Sequence, residues 1–334
     1  MNKLFLGLLL FTAVQLAHGQ ATIGKIHIVK PAGEMLIDPQ APIEVLADGF
    51  DWSEGPLWWK EENAVLFSDV PANTVYIWRP NGEGALPYIK PSGYTGVGKY
   101  SREPGSNGLT RDLNGNLLLC EHGDRRISYL PLNKPGGKRT LTDNHNGKRY
   151  NSPNDVIVDS KGRVYFTDPP YGLPNQDKDA SRETEAFGVY LVDQGKTSLV
   201  VNDLVRPNGL ALSPDEKFLY VGQSDGAKPH IMKYPVMANG LLGKGTLFFD
   251  CSDLAKQGLR GAPDGMKVDD QGNVWSTGPG GVLVISPKGD LLARIETGQA
   301  TANCAWGDDG STLYMTADRY LCRVKTKVKG VPFR

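Results

Sequence analysis

The chain has 334 residues, 40% apolar, 22% charged and 9% aromatic, and its 37 Lys and Arg balance its 37 Asp and Glu. That is the composition of a globular protein with a sizeable core; it excludes extensive disorder and leaves no electrostatic footprint for nucleic acid. With 40 Gly and 23 Pro the chain is rich in turns, which suits many short strands and disfavours long helices.

The first element is a leader. Lys3 precedes an apolar run from Leu4 to Val14, and Ala17-His18-Gly19 follow, the layout of a secretory signal peptide cleaved after Gly19. The run is short for a membrane span and no later stretch approaches 18 apolar residues, so no span is expected in the mature chain. The mature protein is therefore expected in the periplasm or outside the cell. It would begin with an N-terminal extension, 20–42, and continue as a single domain, 43–334. Of the four cysteines, Cys120, Cys251, Cys304 and Cys322, none has CxxC spacing, which argues against structural zinc. Cys304 and Cys322 flank one predicted hairpin and would be either paired or simply buried.

From residue 43 onward the chain repeats. IEVLADG at 43–49 reads as a lone strand. Six related segments then begin at Glu54, Asn107, Asn154, Asn208, Asp264 and Asn303, in steps of 39 to 56 residues. Each runs through a short apolar strand, a polar turn such as NGN, SKG or DDQG, and a second strand: NLLLCE, RVYFTD, FLYVGQ, NVWSTG or TLYMTA. A third strand follows, and a fourth fits before most of the next starts. Four-stranded units with two apolar faces must stack on their neighbours, and radial stacking predicts an all-β, six-bladed propeller. The last repeat has room for about three strands, so the strand at 43–49 is expected to complete its blade and close the ring.

In a propeller the innermost strands line a central channel, so the six repeat starts are expected to converge. All six offer a side-chain oxygen. Convergent oxygens without histidine suit a hard cation, calcium before magnesium, manganese or zinc. The second strands end in Asp69, Glu121 with His122, Asp168, Gln223, Ser276 with Thr277, and Thr316, read as a polar rim at the same mouth. Arg125, Arg126 and Arg149 are available for substrate hydroxyls or a carboxylate. GxSxG, HExxH, Walker A and a strand-to-helix GxGxxG are all absent.

The segments Ser53-Glu54-Gly55-Pro56, Tyr150-Asn151-Ser152-Pro153-Asn154-Asp155, Tyr165 to Gly172, Arg206-Pro207-Asn208-Gly209-Leu210 and Ala262-Pro263-Asp264-Gly265-Met266 resemble those of the SMP-30, gluconolactonase and luciferin-regenerating-enzyme-like family. CEHGDRR and FTDPPYG resemble its bacterial gluconolactonase branch. The resemblance implies a six-bladed propeller with one axial divalent cation, commonly calcium, held by Glu54, Asn154, Asn208 and Asp264. It implies hydrolysis of a sugar lactone to the aldonic acid. Organophosphates or non-sugar lactones are alternative substrates, and a non-catalytic, metal-stabilised binding propeller is the alternative role. Asp264 is the first candidate for the base, and His122, with an ordinary pKa near ~6.5, the second. Asn107, His122, Arg149, Asp168 and Asn303 are the candidate substrate-binding groups. The expected partner is a small lactone, and the expected state a monomer or weak homodimer.

Overall fold

The computed structural model describes residues 20–331 apart from residue 83; the leader expected at 1–19 lies outside the described residues. Six small antiparallel sheets stand in a ring round one axis, a six-bladed β-propeller. The first blade runs Ser53–Trp59, Ala64–Asp69, Thr74–Trp78 and Ala85–Ile89 from the axis outward. The second begins at Ser106–Arg111, the third at Val156–Val158, the fourth at Pro207–Leu212, the fifth at Met266–Val268 and the sixth at Thr301–Gly307. No described helix is long and apolar enough to cross a membrane.

The polar turns repeat one device. Asp112 Oδ1 accepts the N–H groups of Asn114 and Asn116, each at 2.8 Å. Asp159 does the same for Lys161 and Arg163, and Asp269 for Gln271 and Asn273. The glycine within each turn, Gly115, Gly162 or Gly272, has a left-handed φ of +77°, +80° or +84° that a side chain would resist.

Between blades the apolar side chains interdigitate. Leu57, Leu66 and Val75 of blade one meet Leu109, Leu117 and Leu119 of blade two. Trp58, Val65 and Phe67 on its other face meet Tyr314 and Leu321 of blade six. Each such side chain contributes about 1.5–3 kcal/mol on burial. Because both faces of each sheet are used in this way, no blade is stable alone.

Glu44–Asp48 supplies the outer strand of blade six against Tyr320–Lys325, with Glu44 opposite Arg323 and an ion pair between them at 2.6 Å. Ring closure by both ends of the domain is therefore present. A second tether was not legible in the sequence: Lys25–Ile28 adds a fifth strand to blade five against Leu291–Glu296. Ile26 is buried there among Ile37, Ile43 and Ile295.

All four cysteines are buried and free. Cys304 and Cys322 both lie opposite Met315, one on each side of the middle strand. Two strand spacings, roughly 9–10 Å, separate them, beyond the ~7 Å that a disulfide tolerates between Cα atoms.

Candidate active site

The six repeat starts form a closed circuit, and the residue after each explains how. A Cβ on Gly55 would lie 2.3 Å from the Asn107 carbonyl oxygen. Gly108 N–H donates to the Asn154 carbonyl at 2.7 Å. Asp155, standing where a glycine stands in four other repeats, accepts the Leu210 N–H of the next blade. Gly209 rests on the Asp264 carbonyl, and Gly265 on the Asn303 side chain. Asn303 closes the circuit by hydrogen bonding to the Glu54 carboxylate. These glycines are therefore sites of close approach between inner strands rather than turn residues.

Gly209→Ala tests this directly. Its Cβ would fall 1.8 Å from Asp264 O and 2.6 Å from Gly265 Cα, both backbone atoms. The expected destabilisation is about 3 kcal/mol. Thermal melting should show a midpoint lowered by roughly 6 °C; an unchanged midpoint contradicts the packing described.

Glu54 is buried and Asp264 half-buried; desolvation pushes both carboxyls above their ordinary range, and the charge of Glu54 raises Asp264 further. Asp155 adds to the field on each, as does Glu103. Asn208 Nδ2 donates to Ser224 Oγ at 3.2 Å, and Ser224 is bonded in turn to the Tyr171 hydroxyl. That chain fixes the amide and leaves Asn208 Oδ1 buried without a partner; Asn107 Oδ1 and Asp155 Oδ2 are in the same condition. Asn154 sits at the head of blade three, its N–H bonded to Thr167 O at 2.9 Å. Asn154 and Asp264 precede their strands by two residues instead of opening them, as the sequence had suggested.

This donor set fits a hard cation. Crowded buried carboxylates and orphaned amide oxygens are costly alone and are relieved together by a divalent ion. Among the described residues no group of three or more His, Cys, Asp and Glu gathers as a metal cluster. A cation would thus depend on Asn154 and Asn208 beside Glu54 and Asp264.

The rim expected from the second strands has a different role. Asp168 is fully buried, and its carboxylate accepts the Asn151 and Ser152 N–H groups at 2.8 Å each, plus the Asn151 side chain. Asp69 holds Asp51 and Trp52 likewise, and Gln223 Oε1 holds Val205 N–H at 2.7 Å. These residues brace the segments that feed the inner strands, and the Asp168 carboxylate holds the turn just ahead of Asn154. Glu121 is consumed by Arg126 and Lys138.

His122 is wholly buried and burial lowers its pKa to about 4, correcting the ordinary value assumed from sequence. Its Nδ1–H donates to the Glu103 carbonyl at 3.1 Å, which leaves Nε2 as an unpartnered lone pair. Gly172 packs directly on the ring. Arg149 is exposed on a two-stranded ribbon, its Nη2 3.3 Å from Asp124 O. Asn303 Oδ1 caps its own strand by accepting the Cys304 N–H.

Three residues were missed in the sequence. Asp155 carried one signal, an Asp where other repeats have Gly. Glu103 arrives on the Gly-rich loop 93–105, and Tyr171 on the loop after Asp168; neither sits at a repeat position.

Residues 52–319 match the family described as the SMP-30/Gluconolactonase/LRE-like region. A gluconolactonase from Zymomonas mobilis is 42% identical over 318 residues, 93% of this chain and 88% of that one. The structure of a gluconolactonase from Xanthomonas campestris superposes with a TM-score of 0.79 at 30% identity, covering 94% of this chain and 99% of the other. The calcium-binding protein regucalcin from Agrobacterium tumefaciens gives 0.67 at 20% identity, covering 86% and 94%, a likeness of fold alone.

Proposed function

The chain belongs to the SMP-30/gluconolactonase/LRE-like family, and from that premise we propose that it is a lactone hydrolase that opens a sugar lactone to the aldonic acid with a divalent cation bound at the channel mouth. The observation that carries this reading is the closed circuit that gathers the Glu54 and Asp264 carboxylates with amides whose oxygens at Asn107 and Asn208 are buried and unpartnered. Glu54, Asn154, Asn208 and Asp264 would hold the cation, calcium being the best match to four oxygen donors with no histidine. When bound, such an ion polarises the lactone carbonyl and acidifies an adjacent water.

The chain's own groups do the rest. Asp264 takes a proton from the water as its oxygen adds to the carbonyl carbon. The ring C–O bond then breaks, and the same proton passes to the departing ring oxygen. Water is thereby added across one ester bond, and the tethered leaving group makes a covalent enzyme intermediate unnecessary. Asn107 Oδ1, buried and unpartnered, is placed to receive a substrate hydroxyl. His122, neutral above about pH 4, can accept a hydrogen bond at Nε2 but is a weak base. A leader at 1–19, as the sequence pattern suggests, would place this activity in the periplasm or outside the cell.

The deciding experiment is a substrate panel on purified protein: glucono-1,5-lactone, an aliphatic lactone and a phosphotriester, each with calcium and with a chelator. The sugar lactone should turn over fastest, and chelation should return it to the spontaneous rate. Turnover of the phosphotriester alone, or none of the three, defeats the reading.

A further inference from the structure

Arg125 is a buried cation with no carboxylate in direct contact, although Asp168 and Glu183 stand near enough to act on its charge. It is 2% exposed, and its hydrogen bonds all go to neutral oxygens: Nε to Tyr150 O at 2.6 Å, and Nη1 to Ser181 O at 3.0 Å and Ser181 Oγ at 3.3 Å. No carboxylate pairs with it among the described residues, and Nη2 is buried with no partner at all. A guanidinium held this way is costly unless an anion completes it. Its backbone has a left-handed φ of +57°, a conformation that costs about 1 kcal/mol in a residue of this type.

The surroundings complete a site. Arg125 lines a cavity of about 520 Å³ together with Tyr94, Tyr100, Asp124, Arg126 and Arg149. The Tyr100 hydroxyl is buried and unpartnered, and its ring stacks on Tyr94 with centroids 5.0 Å apart. Arg149 adds a second guanidinium bonded only to a carbonyl, although its backbone N–H is held by Glu183. Of the remaining charges Arg126 is neutralised, whereas Asp143 stays a carboxylate anion on the wall. Arg126 is paired with Glu121 and Asp124, Asp124 also holds Thr95, and the Asp143 carboxylate accepts the Asn144 side chain.

The cavity lies at the end of blade two from which its inner strand starts. Ser106 pairs with Glu121, so the turn that carries Arg125 stands at the same end of blade two as Asn107. Tyr100 lies three residues from Glu103, whose charge acts on Glu54 and Asp264. Three residues span at most about 11 Å, so Tyr100 and Glu103 stand within that distance of each other. We propose that Arg125, Arg149 and Tyr100 form an anion subsite that receives an acidic group, carboxylate or phosphate, borne by the lactone. This rests on the lactonase reading above and narrows it to acidic sugar lactones.

The test compares kcat/KM for glucono-1,5-lactone and its 6-phosphate in the wild type, Tyr100→Phe and Arg149→Gln, with a calorimetric titration of inorganic phosphate into each. Neither substitution removes a fold-holding side-chain bond. The wild type should favour the phosphorylated lactone by about tenfold or more, and each variant should lose about tenfold of that preference, mainly in KM. Inorganic phosphate should bind the wild type and bind both variants more weakly. Equal wild-type use of the two lactones overturns the assignment even if phosphate binds, because the site would then serve a free anion. Failure of phosphate to bind, with no preference to lose, overturns it altogether. If neither lactone reacts while phosphate binding still depends on Tyr100 and Arg149, the lactonase reading fails and the anion pocket stands.

Discussion

Asp264→Asn is expected to lower kcat for sugar-lactone hydrolysis by about a thousandfold while an oxygen ligand stays in place. The amide is close to the carboxylate in shape and keeps its carbonyl oxygen at the head of blade five. It cannot take a proton from water. The assay is run at saturating calcium and corrected for spontaneous ring opening, because a cation defect would otherwise imitate a chemical one. His122→Gln is the comparison. Burial holds His122 near a pKa of about 4, so a rate dependent on it as base would fall only as pH drops through that value, not through 6–7. With Asp264 as base, His122→Gln should act mainly on KM and leave no such limb to lose. If calcium-loaded Asp264→Asn retains wild-type kcat, Asp264 does not carry the proton. If His122→Gln then lowers kcat and abolishes an acid limb near pH 4, that role belongs to His122.

Glu54→Gln should act in opposite directions on the empty and the loaded protein. With calcium present, loss of one buried charge should weaken binding by at least about tenfold, or ~1.4 kcal/mol. The calcium-induced rise in melting temperature should shrink correspondingly at fixed calcium. With chelator present, the same substitution should leave the protein as stable as wild type or more so. Asp155 and Glu103 oppose the charge of the buried Glu54 carboxylate, which in turn acts on Asp264, and the neutral amide removes that repulsion. Calorimetry with calcium and melting with and without chelator measure both halves. Unchanged calcium affinity would show that Glu54 is not a ligand. A variant less stable only in chelator would show that its role is structural.

The polar position at each repeat start was readable because the same residue types recur in phase, and six-fold stacking sends equal positions to one axis. The neighbouring glycines were visible as well, but their reason was not. Asn-Gly reads locally as a turn, whereas here Gly55, Gly108, Gly209 and Gly265 meet the next blade's backbone or the Asn303 side chain, a contact between residues some 50 apart in sequence.

What the sequence determined alone was the architecture: short apolar strands punctuated by polar turns, repeated six times, with a lone strand at 43–49 to close the last blade. These signals are local or periodic, and each repeat reinforces the others. What only the tertiary structure decided was the direction of individual polar side chains. Pairing irregularities between Glu54 and Leu57, Ser106 and Leu109, Pro207 and Leu210, and Thr301 and Asn303 break the simple alternation at the heads of four inner strands. A bulge re-aims a side chain without leaving a mark in composition. Asp168 and Asp264 are both acids near a strand end, yet one is spent on backbone N–H groups and the other faces Glu54. Burial, which lowers His122 and leaves Arg125 Nη2 without a partner, is likewise a property of what packs around a residue. It follows from the ring's closure, not from the six or seven residues on either side.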